Sequence, residues 1–187
     1  MENSQKKDDF KDFLKTTITA LVIVFLVRHF LIQPFYVRGS SMEPNFYEKD
    51  YLIIDEISYR FEQPKRGDII VFKLKTQGYN EYLIKRIIGL PGETVIVKDG
   101  KVTIKNQDHP DGFILDESYL PTGLETLGDV TEVVPDDSYF IMGDNRAVSF
   151  DSRYFGSIKR ESIVGKVLLR GFPFSKFGII KNITNNQ

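Results

Sequence analysis

The chain reads as mainly β, a barrel or packed-sheet core carrying one N-terminal apolar helix. Three observations predict this. Short runs rich in Val, Ile, Tyr and Phe recur from residue 51 onward, separated by turn cues such as RGD, PGE and KDGK. No long segment past residue 35 has the 3.6-residue periodicity of an amphipathic helix. The one long apolar stretch, FLKTTITALVIVFLVRHFLI at 13–32, stands at the N-terminal end.

Taken in order, residues 1–12 mix Lys6, Lys7 and Lys11 with Glu2, Asp8, Asp9 and Asp12 and read as a polar cytoplasmic tail. Residues 13–34 read as a transmembrane anchor, because about 20 residues of helix span roughly 30 Å, the hydrocarbon thickness of a bilayer. Strictly uncharged sequence covers only Thr16 to Val27, and Arg28 near the far end must extend its head to the interface. Lys6, Lys7, Lys11 and Lys15 precede the uncharged stretch while Arg28 and Arg38 follow it, so the positive-inside rule places the N-terminus in the cytoplasm and the main domain outside. No A-x-A-like pair of small residues follows the apolar core, so the segment is expected to stay uncleaved.

Residues 35–187 then form the extracytoplasmic β domain. Its strands are expected in YLIID (51–55), DIIVFKL (68–74), EYLIKRIIGL (81–90), ETVIVKDGKVTIK (93–105), SYFIMG (138–143) and ESIVGKVLLR (161–170). In the fourth run Asp99-Gly100, flanked by alternating residues, predicts a hairpin with a type I′ turn. From about 106 to 132 the chain turns polar, with Pro110, Pro121 and several glycines, and reads as an inserted flap.

Composition excludes several chemistries. With no cysteine there is no disulfide framework, thiolate metal site or cysteine nucleophile. A formal net charge of -1 and the lack of a long basic run give no footprint for nucleic acid. His29 and His109 are the only histidines, too few for a zinc site without a carboxylate cluster, and neither metal nor organic cofactor is expected.

A serine hydrolase needs a base to take the hydroxyl proton. His29 lies in the apolar segment and His109 precedes Pro110 in the polar insertion, so neither suits a conventional triad. The alternative is a lysine kept neutral by burial, and the apolar strand EYLIKRIIGL offers one in Lys85. Its neighbour Arg86 stays protonated and cannot serve. The loop VRGSSMEPN (37–45) can carry a nucleophile, with Gly39 for close backbone approach and Pro44 to stiffen the exit, although local sequence leaves Ser40 and Ser41 both open. The polar stretch GDNRAVSFDSRYFG (143–156) reads as a network beside such a centre, with Ser149 placed to orient the lysine.

The pieces GSSMEPN, RGDIIVF, YLIKRIIGLPGE and GDNRAVSFDSR, in that order after one apolar segment, resemble signal peptidase I, the bacterial leader peptidase, in its short Gram-positive form. The resemblance covers about residues 13–175. It implies a signal peptidase-like β core and cleavage of exported preproteins after small side chains at the first and third positions before the bond. By position it assigns Ser41 as nucleophile, Lys85 as general base and Ser149 as the hydroxyl bonded to that lysine. Asp144, Arg146, Asp151 and Arg153 match positions of supporting structure. Where some members have a hydroxyl two residues before the nucleophile this chain has Gly39, leaving the oxyanion to the Ser41 N–H and a donor such as Ser40, and Asn45 stands where threonine is common.

The expected partners are therefore signal peptides of exported preproteins and membrane lipid, with no nucleic acid. A bound signal peptide would lie extended along a strand edge, and Val37, Met42, Leu83 and Ile84 are the expected lining by position. Two other readings remain open on sequence alone. One is a self-cleaving repressor-type or other Ser-Lys peptidase; the other is an anchored β binding module in which Lys85 and Ser149 only complete a buried polar network.

Overall fold

The protein is described by a computed structural model at residues 10–22, 33–76 and 78–180. Residues 10–22 are helical (α1). Among the described residues no helix is long and apolar enough to cross a membrane. Most of the expected tail, and residues 23–32 of the expected anchor, lie outside the described residues. The end of the stretch assigned to the anchor is strand: β1 runs from Gln33 to Tyr36. Pro34 is tolerated there because β1 is the edge of its sheet and a proline lacks only the donor that an outer edge does not need.

Eleven further strands follow among the described residues: β2 Tyr51–Asp55, β3 Ile69–Thr76, β4 Tyr79–Gly89, β5 Thr94–Lys98, β6 Lys101–Lys105, β7 Phe113–Ile114, β8 Val130–Val133, β9 Ser138–Met142, β10 Ile158–Lys159, β11 Ile163–Phe172 and β12 Gly178–Ile179. A one-turn helix, α2, covers Ser152–Phe155. The main sheet has the order β1-β2-β11-β3-β4-β9-β10, with β12 on β11, and the second sheet the order β7-β6-β5-β8. Every expected strand run is found. All the pairings are antiparallel.

The run IIVF at 69–72 is continuously apolar because both faces of β3 are covered. Ile69 and Val71 pack into one core cluster with Leu52, Ile54 and Val167, while Ile70 and Phe72 pack into another with Ile87, Tyr139 and Ile141. The β5-β6 hairpin alternates instead. Val95, Val97, Val102 and Ile104 point into a third cluster with Ile88, Phe140 and Met142, and the residues between them point away. Its turn has φ of 50° at Asp99 and 76° at Gly100, the positive pair that a type I′ turn requires.

Strands β4 and β9 pair directly, so the chain between them, 90–137, is an excursion that builds the second sheet. The expected flap at about 106–132 is the outer part of this excursion. It is more ordered than its polar sequence suggests, contributing β7 and the start of β8.

On one side β4 pairs with β3 from Tyr79 to Arg86, and on the other it meets β9 only from Arg86 onward. Among the described residues the first half of β4 therefore has a free edge. Among the described residues the outer edge of β1 is free too, and the curl of the sheet brings the two together, with Phe35 and Tyr82 in ring contact at 5.9 Å.

Candidate active site

The loop after β1 is fixed at both ends. Val37 N donates to Asp50 O at 2.9 Å and Val37 O accepts from Lys49 N at 3.0 Å, while a turn closes from Glu43 N to Ser40 O at 3.1 Å. Met42 is buried and packs with Val37, Phe46 and Leu52, so the residue after Ser41 is an anchor driven into the core. Gly39 has φ of 81°, and a Cβ built there would meet nothing within 4 Å. Its role is thus conformational, a left-handed turn, and not the close backbone approach expected from sequence. The far side of the loop is held by Asn145, whose N–H donates to Ser41 O at 3.0 Å and whose Nδ2 donates to Ser40 O at 3.1 Å.

Lys85, 2% exposed, lies on β4 with its Nζ donating to Ser41 Oγ at 2.9 Å and to Ile84 O at 3.0 Å. Burial holds its pKa down at about 8, against the upward pull of Asp151, Asp144 and Glu81. A lysine so placed can give up its proton near neutral pH. Of the two serines, Ser41 is the one in contact with this amine.

The polar stretch after β9 forms a buried frame around the pair. Asp144 accepts from Arg86 Nε at 2.8 Å and from Arg86 Nη2 at 2.7 Å, and it also takes Asn45 Nδ2 at 2.8 Å. Asp151 accepts from Gly143 N at 2.9 Å, and from Arg153 Nε and Nη2 at 2.9 Å each. Arg153 continues to Leu127 O and Arg146 O, both at 2.8 Å. Arg146 donates to Gly143 O at 3.0 Å, to Tyr119 Oη at 2.9 Å, and to Thr126 and Glu117. The four expected supporting residues thus hold loop 143–153 to the strand and to the excursion.

Ser149 differs from its expected role. Its Oγ is buried and has no hydrogen-bond partner among the described residues, so no bond to Lys85 is formed. It instead sits against Gly143, beside the carbonyl of Ser41. A Cβ added at Gly143 would fall 2.2 Å from Ser149 Oγ and 2.4 Å from Ser41 O. Gly143→Ala is accordingly expected to push the nucleophile loop off Lys85 and to lower turnover by about 10²-fold, since a displacement near 1 Å costs that much. Unchanged turnover in a folded Gly143→Ala protein, measured by initial rates, would show that the close packing has no catalytic consequence.

Beside Ser41, between the free edges of β1 and β4, lies a cleft of about 380 Å³. Val37, Leu83 and Ile84 line it, together with Phe35, Tyr36, Leu52, Val71 and Tyr82, and with the charged Arg38 and Glu81. Met42 does not. It is spent on anchoring the loop, and only 1% of it is exposed.

Sequence reasoning missed Asn45, Tyr119, Gly143 and Asn145 as parts of the frame. Their contacts span 74 to 105 residues in the cases of Asn45 to Tyr119 and Asn145 to Ser40, beyond any local signal. Among the described residues no cluster of His, Cys, Asp and Glu could hold a metal ion. His109 is on the surface against Phe113, at 5.0 Å between ring centres.

A mainly β fold with a serine on a fixed turn, a buried amine in contact with it and a cleft between two strand edges is the arrangement that a peptidase of the serine type needs. The family model described as signal peptidase, peptidase S26, matches residues 10–172, and the chain belongs to that family. It is 39% identical over 190 residues to the probable signal peptidase I-2 of Synechocystis sp., covering 96% of this chain and 83% of that protein. It is 34% identical over 189 residues to the signal peptidase I of Bacillus amyloliquefaciens, covering 94% and 95%. A crystal structure of a signal peptidase I from Enterococcus faecalis V583 matches at 35% identity over 56% of this chain and 97% of its own, with a TM-score of 0.45.

Proposed function

We propose that this chain removes signal peptides from exported preproteins, with Ser41 as nucleophile and Lys85 as general base. The observation that carries the reading is the 2.9 Å contact between Ser41 Oγ and the buried Lys85 amine. Neutral Lys85 takes the hydroxyl proton as Ser41 attacks the scissile carbonyl. The Ser41 N–H, which donates to no group among the described residues, is available to the oxyanion, and one such donor is worth about 2.7 to 4 kcal/mol of transition-state stabilisation. The lysine then gives its proton to the leaving amine, and water, activated by the same amine, releases the acyl group. In this reading Ser40 and Gly39 shape the turn, and Ser149 packs under the nucleophile without holding the amine.

The substrate would enter as an extended strand between the edges of β1 and β4, where main-chain hydrogen bonding is available on both sides. Val37, Leu83 and Ile84 then bound the small side chains before the cut. The apolar segment at 13–34, preceded by lysines, supports a single-pass anchor with the catalytic domain outside the cell membrane. Confinement to one surface would raise the effective concentration of enzyme and substrate for each other.

The full chain in lipid vesicles, given a preprotein with alanine at the first and third positions before the bond, is expected to make one cut, identified by product mass. Because the amine must be neutral to act, kcat/KM should rise about tenfold per pH unit below a midpoint near 8 and level off above it. Absence of cleavage across this range would refute the proposal.

A further inference from the structure

Behind the nucleophile loop, on the side away from the cleft, Tyr119 reaches in from the excursion between β4 and β9. Its ring lies over the Arg86 guanidinium, 3.9 Å from the Cζ atom to the ring centre. Arg86 directly follows Lys85 on β4 and is itself buried, chelated to Asp144 and donating to Gly67 O at 3.1 Å. The backbone of the same tyrosine is tied to the nucleophile loop, since Asn45 Nδ2 donates both to Tyr119 O at 2.9 Å and to Asp144 Oδ2 at 2.8 Å. Its hydroxyl accepts from Arg146 at 2.9 Å and donates to Glu117 at 2.9 Å. One residue therefore joins the nucleophile loop, the base strand, loop 143–146 and the excursion.

We propose that Tyr119 is a positioning residue for the Ser41–Lys85 pair, its ring clamping Arg86 against Asp144 and closing the polar frame behind the base to water. The inference rests on the dyad reading given above. The charged groups around Lys85 are Glu81 on its own strand, Asp144 and Asp151 with their partners Arg86 and Arg153, Arg146 in the same loop, and Arg38 in the lining of the cleft. Asp144 draws Lys85 toward the charged form, and the Arg86 guanidinium bonded to that carboxylate neutralises part of its charge. Without the ring, Arg86 is free to leave Asp144 and water can enter; each change favours the ammonium. Both act in the same direction. Tyr119 does not line the cleft beside Ser41; with Asn45, Phe46 and Arg86 it borders a separate cavity of about 390 Å³.

The test uses the full chain in vesicles and compares Tyr119→Leu with Tyr119→Phe. With Leu, the acidic limb of the kcat profile should move up by roughly half a pH unit or more, the scale of a lost cation–π contact, with KM unchanged and turnover recovering at pH 9. Phe keeps the ring and should keep the original limb. A tyrosine that served only folding would lower thermal stability without moving the limb. If Tyr119→Leu does not fold, Tyr119→Met, similar in length and without a ring, takes its place. Lys85→Ala run in parallel separates the two claims. Activity in that variant removes the dyad, whereas an inactive Lys85→Ala beside an unmoved limb in Tyr119→Leu, or a shift in KM alone, overturns only the clamp.

Discussion

Alanine in place of Ser41 or of Lys85 is expected to lower preprotein processing by about 10⁴-fold or more, the scale on which loss of a nucleophile or its base is felt in serine hydrolases. The two losses should be about equal, because the pair acts as one unit and the second removal has little left to take away. Neither variant should unfold the chain. Ser41 lies on a turn whose anchor is Met42, and Lys85 is buried at a cost of desolvation, so its loss relieves that cost. Lys85→Arg should be as inactive as Lys85→Ala, since guanidinium does not give up its proton. Replacement of His29 and His109 together should leave the rate near that of the parent. Initial rates on a preprotein, with circular dichroism as the control for folding, decide the matter. Processing at the parent rate in either Ser41→Ala or Lys85→Ala would end the assignment.

How far the sequence discloses this site depends on the distance over which each contact acts. The β5-β6 hairpin is legible because its turn residues and its alternation are local, and the buried run IIVF announces a strand covered on both faces. Lys85 is legible in part, because the chain has no credible histidine base and Arg86 beside it cannot serve; Lys73 and Lys166 also lie in apolar strands, and the choice among them comes from the resemblance. Strand β1 is not, because QPFY directly follows the apolar segment and Pro34 reads as the end of that segment, not as a residue of a strand. The short strands β7, β10 and β12, two residues each, exist only through the longer strands they pair with. The same holds for the frame of the site. Nothing near Arg86 in sequence indicates Asp144, 58 residues away, and nothing in the polar stretch 106–132 indicates that Glu117, Tyr119 and Thr126 grip Arg146 and Arg86. Ser149 shows the converse. Its position in the motif predicts a bond to the lysine, while the packing turns its hydroxyl toward Gly143.

Asp144→Ala should be the most destabilising single change in the frame. It leaves the guanidinium of Arg86 buried, 3% exposed, with only Gly67 O and the Tyr119 ring as partners, and it also strips Asn45 of an acceptor. Breaking a buried pair from one side typically costs about 3 to 5 kcal/mol. For a domain of this size that lowers the thermal midpoint by roughly 10 °C. Adding Arg86→Met to Asp144→Ala should restore part of the loss, because the uncompensated charge is then gone and an apolar side chain faces the core. A midpoint within about 2 °C of the parent for Asp144→Ala would mean that Arg86 is hydrated, against its burial. The milder Asp144→Asn, which keeps the shape, separates structure from chemistry. Removing the carboxylate removes one of the charges that draw Lys85 up and leaves Arg86 unopposed, so both effects lower the lysine pKa further. The acidic limb of kcat/KM should then shift to lower pH, opposite in sign to the change expected for Tyr119→Leu. A destabilised Asp144→Asn enzyme that nonetheless works in more acid solution would be hard to explain by general loosening of the fold, which hydrates the amine and moves the limb the other way.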